Sequence, residues 1–310
     1  MANSVLVVDI GGTNTRVALA AWPLAQVVAP EIPAITDIAT FRTQASYAAQ
    51  MELLAAALRE ASAQVDAVGP TSGKLVGVGA SFGGRLAHDG ATVAIAPNLR
   101  DYEERPLADD LAERVGFPSS ATRQGLVRIA HDAVCGLLGE KNYGALVERK
   151  RCAYLTISTG LGAAVHLAGG KSRSGTYISI EMGHQVLDGS TRRCLCGQVG
   201  CLETYVSGKQ LELYHGAPLE ELDDPAIWET MTEKLTLGLV NLAQLTRVEV
   251  VAVGGAIALA RPALLDTLQT QVNDRLRGMS LAIVPAALGS YAPLVGAATL
   301  LATPAGSFIN

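Results

Sequence analysis

The chain has 310 residues, is 49% hydrophobic and 17% charged, and carries a formal net charge of −5. That is material for one large domain or two medium ones with a sizeable core, which excludes a disordered chain, and the acidic balance gives no basic face for nucleic acid. Apolar runs such as VVAVGGAIALA stop short of the roughly 18–20 residues of a membrane span, and the start, MANSVLVVD, lacks the basic-then-apolar pattern of a secretory signal. The expected location is a reducing cytoplasm, where structural disulfides are rare. The densest basic run, RKR at 149–151, reads as a solvated turn.

In chain order, SVLVVDI (4–10) reads as a buried strand and TRVALAA (15–21) as its hairpin partner across a GGTN turn. Met51, Leu54, Ala55 and Leu58 recur at helical spacing, which predicts a long helix within 44–64. The breaker GPTSG (69–73) precedes a strand, KLVGVGA, and ADDLAERVG reads as a helix ending at Gly116. FPSSATRQG (117–125) is a candidate hinge between halves. Over 126–138, periodicity alone supports one helix with Leu126, Ile129, Ala130, Ala133, Val134 and Leu137 on one face. CAYLTIS and LGAAVHLA (152–168) are strands around a second glycine turn. VEVVAVGGAIA (248–258) is a strand running into glycines, and PALLDTLQTQVNDRL (262–276) is a helix with Pro262 in its first turn. This alternation is an α/β signature. VVDIGGTNTRVALA and LTISTGLGAAVHLA echo each other as strand, glycine turn, strand, which predicts two halves built alike.

The first turn, DIGGTNTR (9–16), is neither a Walker A loop nor a G-x-G-x-x-G dinucleotide turn. Gly11 and Gly12 nevertheless let backbone N–H groups approach an anion, Thr13 adds a hydroxyl, and Asp9 can hold Mg²⁺ through water. A plain hairpin turn with an Asp cap is the other reading. The second turn (Ser158, Thr159, Gly160, Leu161, Gly162) repeats that chemistry, and Gly254 and Gly255 in a third turn could let a flat base lie against backbone.

Three of the five cysteines fall within eight positions, as C-x-C-x4-C at Cys194, Cys196 and Cys201, with His184 ten residues upstream. Three thiolates and an imidazole make the closed tetrahedral set of structural zinc, whereas catalytic zinc keeps an open position. Gly197 and Gly200 allow a tight loop around the ion. Three reduced thiols without metal are the bland alternative. Cys135 and Cys152 stand in apolar surroundings and read as core.

Taken together, D-I-G-G-T (9–13), G-G-R (83–85), P-N-L (97–99), His131-Asp132, S-T-G-L-G (158–162), E-M-G-H (181–184), C-L-C-G-Q-V-G-C-L-E (194–203) and V-G-G-A (253–256) resemble the ROK family of sugar kinases and sugar-responsive repressors. The resemblance runs nearly end to end. It implies the two-domain α/β fold of the actin-like ATPases (ribonuclease H-like), with a cleft between a small N-terminal domain (1–118) and a larger one (119–292). A C-terminal helix, 293–310, is expected to pack back on the small domain. In place of one long helix, it implies a strand, LVRIA, with Asp132 at a helix start, where the dipole keeps a carboxylate ionised.

By the same resemblance Asp132 is the general base, and Glu181 and Glu203 bond sugar hydroxyls near C1 and C2. His184 ligates zinc beside the same end of the sugar, and zinc fixes the loop without taking part in transfer. Gly84, Arg85 and Asn98 close over the sugar from the small domain. The nucleotide site comprises Asp9, Gly11, Gly12, Thr13, Thr159, Gly160, Gly162, Gly254 and Gly255. Its cofactors are ATP, Mg²⁺ and structural Zn²⁺, and homodimers are common in the family, with no nucleic-acid or membrane partner.

Two positions depart from the family pattern. The family has Asn before the catalytic Asp, addressing a hydroxyl near C3, where this chain has His131; and Ile180 replaces a small residue before the Glu of E-M-G-H. The sugar-facing loop KSRSGTYISIEMGH is therefore not the usual glucokinase one. The expected function is an ATP-dependent kinase acting on the 6-hydroxyl of glucose or a glucose-like hexose. The alternatives are an amino sugar (3-amino-3-deoxyglucose, kanosamine, or an N-acetylhexosamine) and a sugar-binding repressor-type protein without its DNA-binding domain. Asp9 in the first strand leaves no room for a preceding helix-turn-helix, so the repressor is the weaker expectation.

Overall fold

The computed structural model describes residues 3–22, 32–67, 74–168, 175–187, 189, 191–222 and 224–309. The GPTSG breaker and residues 171–174 of the sugar-facing loop lie outside the described residues. The chain divides into two compact units, one running to Tyr143 and resuming over Tyr291–Phe308, the other Gly144–Ser290.

The first unit contains β1 (Asn3–Ile10), β2 (Asn14–Trp22), β3 (Ile35–Arg42), α1 (Tyr47–Ala67), β4 (Leu75–Phe82), β5 (Arg85–Leu86), β6 (Val93–Ile95), α2 (Leu107–Arg114), β7 (Val127–His131) and α3 (Asp132–Tyr143). Its main sheet has the order β3-β2-β1-β4-β7. The β1–β2 and β2–β3 pairs are antiparallel, and β1–β4 and β4–β7 are parallel. An unbroken run from Val5 to Val8 suits β1 because it is central, with Val5, Leu6, Val7 and Val8 all fully buried. Residues 126–138 do not form one helix. Val127 and Ile129 pair in parallel with β4, and the helix begins at Asp132. That pairing extends the first unit past residue 118 to Tyr143.

The second unit contains β8 (Arg151–Ile157), β9 (Leu161–Leu167), β10 (Thr176–Ile180), α4 (Glu203–Val206), α5 (Gly208–His215), α6 (Pro225–Thr246), β11 (Val250–Gly254), α7 (Ala256–Ala260), α8 (Ala263–Arg275) and β12 (Ala282–Pro285). Five strands of its six-stranded sheet run β12-β11-β8-β9-β10, again with an antiparallel meander followed by two parallel additions. In both units the first strand is central, flanked by the second and then the third on one side and by the fourth and fifth on the other. The echo between the two glycine turns is therefore an echo of whole sheets. Asp224 caps α6 by accepting from Ala226 N–H at 2.9 Å, with Pro225 just inside. Pro262 stands at the N-cap of α8, just ahead of its first turn.

The chain returns to the first unit as α9 (Ala292–Thr299), which packs on α3, β4 and β1. It is shorter than the helix expected over 293–310: a 3₁₀ turn, Leu300–Ala302, follows, and Pro304 lies just beyond. The contact is backbone to backbone. A Cβ at Gly296 would lie 1.7 Å from Cys135 O, and one at Gly139 would lie 2.5 Å from Ala292 O. Gly296→Ala is expected to destabilise the protein by about 1–3 kcal/mol or more through overpacking, read as a lower urea midpoint. An unchanged midpoint would show that α3 and α9 can part without cost.

Candidate functional site

In the first unit, parallel pairing brings three strand ends together. Asp9 is registered with Ser81, and Phe82 with His131, so β1, β4 and β7 finish side by side at the first glycine turn and the start of α3. Gly83 lies where these features meet. A Cβ there would be 3.7 Å from Gly11 Cα and 3.8 Å from Asp132 Oδ2, and Gly83 N–H donates to Ile10 O at 2.9 Å.

Asp132 accepts from Ala133 N–H at 2.6 Å, and its side chain keeps 28% exposure. The helix start alone would keep this carboxyl ionised. Burial works the other way and raises its pKa; His131 and the Ala133 N–H lower it, and Asp9 raises it further. A raised carboxylate is a stronger base than a solvent-exposed one. His131 Nδ1 lies 3.1 Å from Asp132 Oδ1. The Ala133 N–H favours the carboxylate at 2.6 Å over the ring at 3.2 Å. Nδ1 therefore lies within reach of both the Asp132 carboxylate and the Ala133 N–H.

Asp9 is nearly buried and fully engaged on one side. Arg16 donates to Oδ2 from Nη2 at 2.7 Å and Nε at 3.2 Å, and Ser81 Oγ donates to Oδ1 at 2.6 Å. Oδ1 retains one acceptor position, which a metal-bound water would fill. Arg16 and Ser81 went unnoticed in the sequence, although a hairpin turning at GGTN places Asp9 opposite Arg16, which is the observed register. Gly84 is confined between Phe82 and Ile95 O. Arg85 pairs with Ile95 across β5 and β6, and both Arg85 and Asn98 are exposed.

In the second unit, the β8–β9 turn is closed by Ser158 N–H donating to Gly160 O at 3.0 Å. Glu203, at the start of α4, accepts Leu161 N–H at 2.9 Å through Oε2. That oxygen is also 3.3 Å from the Cβ positions of Gly160 and Gly183, so neither glycine can carry a side chain without displacing it. Gly162 lies in β9, registered with Thr156. Gly255 (φ +88°) presses against β8, since a Cβ would lie 2.4 Å from Ile157 O, and Gly254 lies under the Tyr154 hydroxyl. Both glycines therefore have a packing role whether or not a base lies on them. The Thr159 backbone carbonyl accepts Lys209 N–H, from the first turn of α5, at 3.1 Å.

The ligand atoms of His184, Cys194, Cys196 and Cys201 all lie within 4.8 Å of one another. Cys196 and Cys201 sulfurs are 3.7 Å apart, and His184 Nδ1 is 3.8 Å from Cys194 Sγ. A tetrahedral ion with roughly 2.3 Å metal–sulfur bonds sets its sulfurs about 3.8 Å apart, so the four groups fit zinc. No cysteine among the described residues is in a disulfide. Burial lifts the Cys194 thiol to about 11, helped by Cys196 and Glu203, and burial also raises Cys201. For Cys196, burial is outweighed by bonds from the Gln198 backbone, Cys194 and Cys201, and its pKa is lowered. The cluster needs a cation to hold three thiolates together.

The loop around these ligands is braced from several directions. Gln210, buried, donates Nε2–H to Cys194 Sγ at 3.3 Å. Arg192 stacks 3.6 Å and 4.2 Å from the Tyr214 and Tyr205 ring centroids and donates to Thr204 O at 3.0 Å. On the other edge of the imidazole, His184 Nε2 is 3.8 Å from Glu181 Oε2, and the Glu181 side chain is 54% exposed. One ring nitrogen thus faces the sulfurs and the other a carboxylate, the arrangement that orients metal-binding histidines. No described helix is long and apolar enough to cross a membrane.

Residues 5–303 match the family model for the ROK family. The chain is 26% identical over 244 residues to the xylose repressor of Bacillus subtilis, covering 73% of this chain and 61% of that protein. It thus spans about three fifths of the length of that relative. It is 28% identical over 259 residues to the glucokinase of Thermotoga maritima, covering 73% of this chain and 76% of that one. Among solved structures, a ROK family glucokinase from Streptomyces griseus in complex with glucose and AMPPNP superposes with a TM-score of 0.74 at 25% identity, over 96% of this chain and 99% of the other.

Proposed function

The chain belongs to the ROK family and has the two-domain actin-like α/β fold of its sugar kinases, and from that membership we propose that it is an ATP-dependent kinase acting on the 6-hydroxyl of glucose or a glucose-like hexose. The observation that carries this reading is the meeting of Asp132 and the first glycine turn in one unit, with Gly83 lying against both. A base and a phosphate-binding turn side by side are what in-line transfer to a hydroxyl requires.

In the proposed step, Asp132 takes the proton of the 6-hydroxyl as that oxygen forms its bond to the terminal phosphorus. The bond from that phosphorus to the bridging oxygen breaks, and ADP leaves with the electron pair. The backbone N–H groups of Gly12 and Thr13 bind phosphate oxygens, that of Gly11 being donated to Asn14 O at 3.0 Å, and the Thr159–Gly162 turn and Gly254–Gly255 contribute the rest of the nucleotide contacts. Glu181 and Glu203 accept from sugar hydroxyls, and Gly84, Arg85 and Asn98 bind the sugar from the first unit. Mg²⁺, held through water at Asp9 Oδ1, would neutralise charge on the phosphates. Zn²⁺ at His184, Cys194, Cys196 and Cys201 would hold the loop that carries Glu181 and Glu203.

The reading is tested by ADP release with ATP, Mg²⁺ and a panel of glucose, mannose, fructose, N-acetylhexosamines and 2- and 3-amino sugars. Hexose-dependent ADP is the expected result. The likeness to a xylose repressor favours a second reading, sugar binding without transfer. Sugar affinity with no ADP from any sugar would select it.

Within the kinase reading, His131 sets the preference at C3. Recognition of a 3-amino group requires a ring nitrogen that accepts a hydrogen bond, whereas Asn offers both a donor and an acceptor. His131→Asn is expected to improve kcat/KM for glucose relative to a 3-amino-3-deoxyglucose by roughly tenfold or more, the effect of one hydrogen bond in a buried site. Because His131 lowers the Asp132 pKa, the same variant is expected to move the acid limb of kcat/KM to higher pH. An unchanged ratio and an unmoved limb would remove His131 from the sugar site.

A further inference from the structure

Behind the first glycine turn, inside the first unit, lies a line of polar side chains that the reaction does not use. Gln50 of α1 and Thr15 of β2 are both fully buried, and burying an amide and a hydroxyl is costly unless each is bonded. Gln50 Oε1 accepts Gln44 N–H at 2.9 Å, which fixes the amide with Nε2 turned the other way, donating to Thr15 Oγ1 at 2.8 Å. Thr15 Oγ1 lies 2.9 Å from Thr43 Oγ1, and Thr43 Oγ1 donates to Gly11 O at 2.8 Å.

The proton directions in this line follow from counting. A threonine hydroxyl has one proton. Thr43 gives its proton to the Gly11 carbonyl, so between the two threonines Thr15 must be the donor. Thr15 in turn accepts from Gln50. Donation therefore runs one way, Gln50 to Thr15 to Thr43 to Gly11, and such a chain strengthens each of its members. Thr43 also donates its own N–H to Thr13 O at 2.9 Å, so it holds two carbonyls of the turn. In a trans peptide the N–H points opposite to the C=O. With the Gly11 carbonyl drawn back to Thr43, the Gly12 N–H is turned away from the relay, to the side where an anion would be met.

We propose that Gln50 is a positioning residue for phosphate binding: through Thr15 and Thr43 it fixes the Gly11–Gly12 peptide with its N–H presented to the terminal phosphates of the nucleotide. The inference rests on the kinase reading for the identity of the ligand. Gln50→Leu removes the relay's source, and Gln50→Glu keeps the shape but makes the side chain an acceptor, which reverses the Thr15 proton and leaves Thr43 without a donor.

The experiment measures ATP binding by calorimetry with Mg²⁺, alongside KM for ATP, KM for glucose and kcat. Gln50→Glu and Gln50→Leu are each expected to weaken ATP binding and raise its KM about tenfold, with the glucose KM and kcat within about threefold of wild type. Thr43→Val is expected to do the same, Thr43→Ser to restore wild-type values, and Gln50→Glu with Thr43→Val to be no worse than Thr43→Val alone. ATP affinity unchanged in both Gln50 variants, equal losses for ATP and glucose, no rescue by Thr43→Ser, or additive losses in the double variant would each overturn the relay. A wild-type protein that binds no ATP would overturn the kinase reading and the relay with it.

Discussion

Replacing Asp132 with asparagine is expected to lower kcat by roughly 10²–10⁴ or more while sugar affinity changes little, because shape is kept and the proton acceptor is lost. The pH behaviour separates this from a folding defect. Burial and the neighbouring Asp9 raise the Asp132 pKa in the folded protein. A raised carboxyl contributes stability in its protonated form, and that contribution is lost as pH rises through the folded pKa. At neutral pH, Asp132→Asn is therefore expected to leave stability unchanged or improved while turnover collapses. In the wild type, kcat/KM should rise with pH along a limb lying above the ordinary carboxylate range. A variant that keeps kcat within a few-fold would move the proton to another group.

Cys194→Ser is expected to release the metal, lower the melting temperature and abolish sugar binding together. Cys194 supplies one of four converging ligands, accepts from Gln210, and lies in the loop joining Glu181 to Glu203. Replacing the thiolate with a hydroxyl leaves three strong donors where a closed tetrahedral site needs four. Since the Cys194 and Cys201 thiols are raised without a cation, binding must displace protons, and metal retention should weaken as pH falls. Metal analysis of the purified protein, followed by titration with a chelator while sugar binding is monitored, checks each part. Purified protein without zinc, or a metal-free variant with normal sugar affinity, would refute the structural role.

Much of this site was legible because its chemistry is local. The C-x-C-x4-C spacing with His184 needed no tertiary knowledge to be a ligand set, and the GGTN turn between apolar strands fixed the hairpin. Residues 126–138 were not legible from periodicity, since Leu126, Ile129 and Ala133 satisfy a helical face equally well. Pairing of Val127 and Ile129 with β4 decides for a strand, and such parallel pairing is a property of distant sequence. The Gln50 relay was hidden for the same reason. Its members come from a helix, a strand start and the residue after β3, brought together only by folding. The raised Asp132 was missed because a helix start was weighed without the burial that surrounds it.

The central claim is transfer of a phosphoryl group from ATP to the 6-hydroxyl of a hexose. Phosphorus NMR of purified protein with glucose, ATP and Mg²⁺ tests it most directly, because a 6-phosphate ester couples to both methylene protons at C6 and so declares its position. The expected result is ADP with that ester from the wild type, and neither from Asp132→Asn. Binding of sugar and ATP with no phosphate ester from any hexose of the panel, or an ester at another carbon, would contradict it.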